Sequence, residues 1–93
     1  MIVVVITLRL RAAWCKSLKD KRAEVKKLAM GLRNAFNISA CESGVQDDRQ
    51  LIEISACALA FDRAQGDSIA QSVEEFVLSR TDAVLFSTQT EYR

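Results

Sequence analysis

The stretch from Ile2 to Arg11 constrains the fold of this chain more than any other. It reads Ile-Val-Val-Val-Ile-Thr-Leu-Arg-Leu-Arg, dominated by β-branched and aliphatic side chains. Successive side chains of a strand point to opposite faces, so Ile2, Val4, Ile6, Leu8 and Leu10 share one apolar face. The other face, Val3, Val5, Thr7, Arg9 and Arg11, begins apolar and ends basic, and is expected to be only partly buried. A bilayer needs about 20 apolar residues in a helix, and the run Ile2 to Leu8 is far shorter. It lacks the basic start of a secretory leader, and Arg9 and Arg11 stand where a small-residue cleavage site would be. The expectation is a cytoplasmic protein with no membrane partner.

A helix should follow. Ser17 is a good N-cap, and Leu18, Val25, Leu28, Ala29, Leu32 and, just beyond, Phe36 form one apolar stripe up to about Asn34. Gly31 lies off that stripe. Two strands are expected at 38–46 and 50–61, joined by the polar turn Asp47-Asp48-Arg49. In the second, Ile52, Ile54, Ala56, Ala58 and Ala60 form the core face, small enough for a helix to pack closely over it. Asp62 with Gln65 reads as a capping box for a second helix whose buried side is Ile69, Val73, Phe76 and Val77. Gly66 weakens its first turns, so a start as late as Asp67 is allowed. A last strand spans 83–91.

The order β-α-β-β-α-β predicts an α+β fold of the ferredoxin-like plan. A four-stranded antiparallel sheet carries both helices on one face and leaves the other uncovered. The 93 residues fit a single such domain, residues 1–93. The chain has 13 basic and 12 acidic residues, so no global field draws it to nucleic acid or lipid, and any attraction must come from local clustering.

Chemistry is more constrained than binding. The chain has no His, which removes the commonest general base. Cys15, Cys41 and Cys57 are widely spaced and form no Cys-x-x-Cys pair, so they read as reduced thiols without metal. Cys15, ahead of a helix start and next to Lys16, is where a thiolate would be favoured. Cys41 and Cys57 read as small packing residues in strands. Asp47, Asp48 and Glu42 read as a solvated hairpin, and Gly31, Gly44 and Gly66 are too scattered for a phosphate loop. Trp14 reads as a lid on the core edge. No catalytic residue, cofactor or metal is expected.

The segment Ser17-Leu18-Lys19-Asp20-Lys21-Arg22, placed after such a strand, resembles the helix start of the YlxP-like family of small bacterial proteins of unknown function. Phe36-Asn37-Ile38-Ser39, Glu42, Gln46-Asp47, Gln50, Asp62 and Phe76 continue the resemblance over nearly the whole chain. It implies the ferredoxin-like fold and no established activity. The family's genes often lie beside translation and ribosome-maturation genes, which points to RNA or ribosomes by association. Members carry an aromatic near position 49 and often a polar or ring residue near 45, where this chain has Arg49 and Val45. A partner contact at that hairpin tip would be altered here.

Two surfaces are candidates. The first helix carries Lys19, Lys21, Arg22, Lys26, Lys27 and Arg33. At 100° per residue, Arg22, Arg33, Lys26 and Lys19 fall at about 40°, 60°, 80° and 100° from Leu18, a basic ridge beside the apolar stripe that Lys16 extends. Asp20 and Glu24 fall on the far side. Such a ridge suits successive phosphates, or it is a solvated flank. The uncovered sheet face offers Val3, Val5, Thr7, Ser55, Cys57 and Leu59. It has no aromatic for base stacking, so it fits an apolar contact better than an RNA platform. The leading expectation is a non-enzymatic binding protein that touches RNA or a ribosome-associated component through Lys16, Lys19, Arg22, Lys26 and Arg33. The alternative is an assembly module, a homodimer formed through Val3, Val5 and Leu59.

Overall fold

The computed structural model describes residues 1–93. It contains β1 (Ile2–Arg11), α1 (Leu18–Phe36), β2 (Ser39–Gly44), β3 (Leu51–Ala60), α2 (Arg63–Arg80) and β4 (Val84–Tyr92). The strands run antiparallel in the order β2-β3-β1-β4, the ferredoxin-like arrangement expected. β1 and β3 pair without interruption from Ile2↔Ala60 to Arg11↔Leu51. That register puts Val4, Ile6, Leu8 and Leu10 on the same face as Ile52, Ile54, Ala56 and Ala60. Leu28 and Leu32 of α1 and Val73 and Val77 of α2 pack there too, in one apolar cluster. Full burial of each of the Val, Leu and Ile side chains among these contributes roughly 1.5–3 kcal/mol of transfer free energy. Both helices therefore cover one side of the sheet.

Capping chemistry sets the helix ends. The Ser17 hydroxyl accepts a hydrogen bond from the Asp20 N–H at 3.1 Å. Asn37, in the left-handed conformation (φ 53°), ends α1 with its N–H on the Arg33 carbonyl. At α2, Asp62 accepts from the Gln65 N–H while the Gln65 side chain accepts from the Phe61 N–H. This reciprocal cap fixes the start at Arg63, four residues before Asp67. Gly66 does not delay the start of the helix; it is buried, and a Cβ there would lie 2.7 Å from the Tyr92 ring. Gly31 has a similar use, since a Cβ would lie 3.1 Å from the Phe76 ring where α2 approaches α1.

The β2–β3 hairpin is looser than expected. The strands stop at Gly44 and restart at Leu51, leaving a six-residue connection from Val45 to Gln50 in place of a three-residue turn. Val45 adopts φ 48°, a conformation that β-branched residues resist. No helix is long and apolar enough to cross a membrane.

Candidate nucleic-acid interface

The side chains of α1 divide according to what surrounds each flank. On the α2 side, Glu24 accepts from the Thr81 hydroxyl and pairs with Lys27 at 2.9 Å. On the opposite side, towards the edge strand β2, lie Lys19, Arg22, Lys26 and Arg33. Lys19, Arg22 and Lys26 are exposed, and none joins an ion pair or a side-chain hydrogen bond. Lys16 is likewise exposed; its backbone N–H donates to Asp20 Oδ2 at 3.1 Å, which uses that carboxylate to cap the chain. At 1.5 Å rise per residue, Lys19, Arg22 and Lys26 run over roughly 10 Å of helix.

Arg33 departs from the ridge expectation. Its Nη1 donates to the Ala40 carbonyl at 2.8 Å, an outward-facing group of edge strand β2. Its exposed guanidinium therefore ties α1 to the sheet edge and is not a free cation like the other three.

Lys21, one of the cations of the first helix, is completely buried. Its ammonium donates to the carbonyls of Val45 (2.6 Å), Gln46 (3.2 Å) and Leu51 (3.2 Å). Glu42 Oε2 stands 3.1 Å away. An ammonium has three protons, and the three carbonyls take them all. The carboxylate oxygen is thus a charge partner without a hydrogen bond of its own. This clamp stitches the first turn of α1 to both ends of the hairpin connection. It also grips the carbonyl of Val45, the residue in the unfavourable conformation. The signal was present in sequence: at about 300° on the helical wheel, Lys21 lies inside the apolar stripe. Ser17, Asp20, Lys21, Glu42 and Gln46, which carried the family resemblance, all serve this corner of the fold.

The open sheet face has a polar centre. Thr7 and Ser55 share a hydrogen bond of 3.0 Å, Ser55 donates to Ser43 at 2.7 Å, and Ser43 donates to Glu53 at 2.9 Å. Arg9 Nε completes the chain on the other Glu53 oxygen at 2.8 Å. The Arg9 hydrogen bond, and then that of Ser43, hold the Glu53 carboxyl below the usual glutamate range. Val3 and Val5 are half-buried, while Leu59 is 67% exposed. Beside Leu59 an apolar groove of about 640 Å³ is lined by Val3, Phe36, Ile38, Ala58 and Ile69 among others.

The cysteines differ from expectation. Cys41 and Cys57 are exposed and not packed. Ser39↔Cys57 and Cys41↔Ser55 place both on the open face. Cys15 is the buried one, and its thiol is pushed up, chiefly by burial and further by Asp20 and Glu24. The lysine beside it in sequence does not favour a thiolate. Trp14 is 45% exposed at the rim of a polar depression with Glu24, Arg80 and Asp82, and is no lid on the core.

The fold is also found in a de novo designed protein, Foldit4, with a TM-score of 0.52 over 99% of this chain and 97% of that one. At 9% identity the likeness concerns the fold alone. The uncharacterized protein YlxP of Bacillus subtilis (strain 168) is 34% identical over 76 residues, covering 82% of this chain and 83% of that protein. Residues 3–90 match the family described as "Protein of unknown function (DUF503)", and the chain belongs to that YlxP-like family.

Proposed function

We propose that this protein is a non-enzymatic accessory factor that holds RNA, free or within a ribosome-associated particle, on the outer flank of α1. The observation that carries this reading is the contrast between the two flanks. Lys19, Arg22 and Lys26 stand in solvent without a counterion, whereas the acidic residues of the same helix are engaged elsewhere. Unpaired cations along one helix flank neutralise phosphates and release their counterions on contact. With Arg33 tied to Ala40, the ridge offers three free cations, or four with Lys16. For single-stranded or irregular RNA this gives a log-log salt slope of about −2 to −3. No aromatic accompanies the charges, so binding is weak and indifferent to sequence.

The test is fluorescence anisotropy of a labelled, irregular RNA titrated with the protein at several salt concentrations. The reading predicts that slope for the wild type and loss of binding for Arg22→Glu/Lys26→Glu, with thermal stability retained. Binding that survives the double substitution places the contact elsewhere.

A second reading, assembly through the open face, is favoured by one observation: Leu59 is exposed beside an apolar groove. The hydrogen-bonded chain from Arg9 to Thr7 keeps the centre of that face polar. It confines any apolar contact to the end around Val3, Val5 and Leu59.

A further inference from the structure

The two edges of the sheet are treated differently. β2 is only six residues long, carries an irregularity at Ser43, has its Ala40 carbonyl occupied by Arg33, and bears Glu42 engaged with Lys21. These are devices that discourage strand addition. β4 is nine residues long and contains no Lys and no Pro. Its register fixes which backbone groups are free. Val3 and Arg93 exchange both of their N–H···O bonds. By the two-residue period, Glu91, Gln89 and Ser87 turn their backbone groups inward to Val5, Thr7 and Arg9. Tyr92, Thr90 and Thr88 therefore turn theirs outward, and no backbone partner in the chain meets them. An irregularity between Arg9 and Leu10 limits the regular free edge to the C-terminal half of β4.

We propose that this edge pairs with the same edge of a second copy, antiparallel about a two-fold axis at Thr90, to make one continuous eight-stranded sheet. The sequence is self-complementary in that register. Thr90 meets Thr90 of the second copy, and Thr88 meets Tyr92, so all three outward residues find hydrogen-bonding partners. On the open face, Gln89 lies opposite Glu91 of the second copy and Glu91 opposite Gln89. No like charges face one another, and threonine pairs and amide–carboxylate pairs suit cross-strand positions. Gln89, Thr90 and Glu91 are all exposed in the single chain. This contact lies on a different side of the molecule from the α1 flank and from Leu59, and it leaves both free.

The experiment is sedimentation equilibrium of the full chain up to about 1 mM, the weak end of specific association. Variants at Thr90 and Gln89 accompany the wild type. Thr90→Pro removes an outward N–H that nothing inside the chain uses, and is expected to yield monomer. Gln89→Glu sets like charges opposite each other twice by symmetry and should weaken the dimer about 2- to 30-fold, whereas Gln89→Lys, facing Glu91, should tighten it. The two Gln89 variants carry the test if Thr90→Pro fails to fold. A wild type that is monomeric throughout, or a dimer indifferent to the charge at position 89, overturns the assignment.

Discussion

Replacing Lys21 by Met keeps most of the aliphatic stem in place and removes the ammonium. Three carbonyls, those of Val45, Gln46 and Leu51, lose their donor, and Glu42 loses its charge partner. Breaking a buried ion pair from one side costs about 3–5 kcal/mol, because the remaining charge is left uncompensated. Glu42 keeps 16% side-chain exposure, so its carboxylate can turn partly to water and the lower end of that range applies. The whole domain is stable by roughly 5–14 kcal/mol at 93 residues. The substitution thus removes a large fraction of it. With an m-value near 1–1.5 kcal/mol/M, the urea midpoint should fall by roughly 2–3 M. Glu42→Gln keeps the three carbonyl bonds but leaves the fully buried Lys21 ammonium without its counter-charge, so it too should cost about 3 kcal/mol. The double variant should cost less than the sum of the two singles, since the residues share one network. Lys26→Met, on the exposed flank, is the control and should stay within about 0.5 kcal/mol of wild type. A Lys21→Met loss below about 1 kcal/mol would refute the clamp as a structural element.

The remaining expectations are smaller in scale. Val45→Asn should stabilise by about 1 kcal/mol, because asparagine tolerates the left-handed conformation that valine resists; urea unfolding reads this directly. Gly31→Ala should fail to deliver the roughly 1 kcal/mol that helix propensity promises, since the new methyl meets the Phe76 ring. A native thiol titration should label Cys41 and Cys57 quickly and Cys15 only after denaturant. Glu53 has a depressed carboxyl in the folded state, so its contribution is complete above the unfolded value of about 4.3 and is lost as pH falls through the lower folded value. Glu53→Gln should therefore flatten the fall of stability below that pH, measured by urea midpoints at neutral and acid pH.

Periodicity made the architecture legible because burial here follows it closely. The even positions of β1 and β3 and the stripe on α1 are the core the sequence displays. What escaped was decided by partners on other elements of the fold. Lys21 lies in the apolar stripe, but its reason for being there is three carbonyls contributed 24 to 30 residues later. Arg33 looked like its neighbours on the wheel, yet the position of the β2 edge makes it a strap. Alternation along β3 already set Cys57 on the open face, but Cys41 joins it there through the pairing Cys41↔Ser55, which residue type alone does not reveal. Gly66 read as a weakness and Gly31 as an off-stripe residue, but aromatic rings of other elements, Tyr92 and Phe76, fill the space above them. Of the candidate ridge, Lys16, Lys19, Arg22 and Lys26 remain free cations, and these carry the functional reading.

The most direct test of that reading is affinity capture from cell extract with wild-type protein and with Arg22→Glu/Lys26→Glu, each with and without nuclease, and with the recovered RNA quantified. The account predicts RNA on the wild type that nuclease removes, and none on the variant at matched folding and concentration. Equal RNA recovery on the two proteins, or none on the wild type even at low salt, would contradict it.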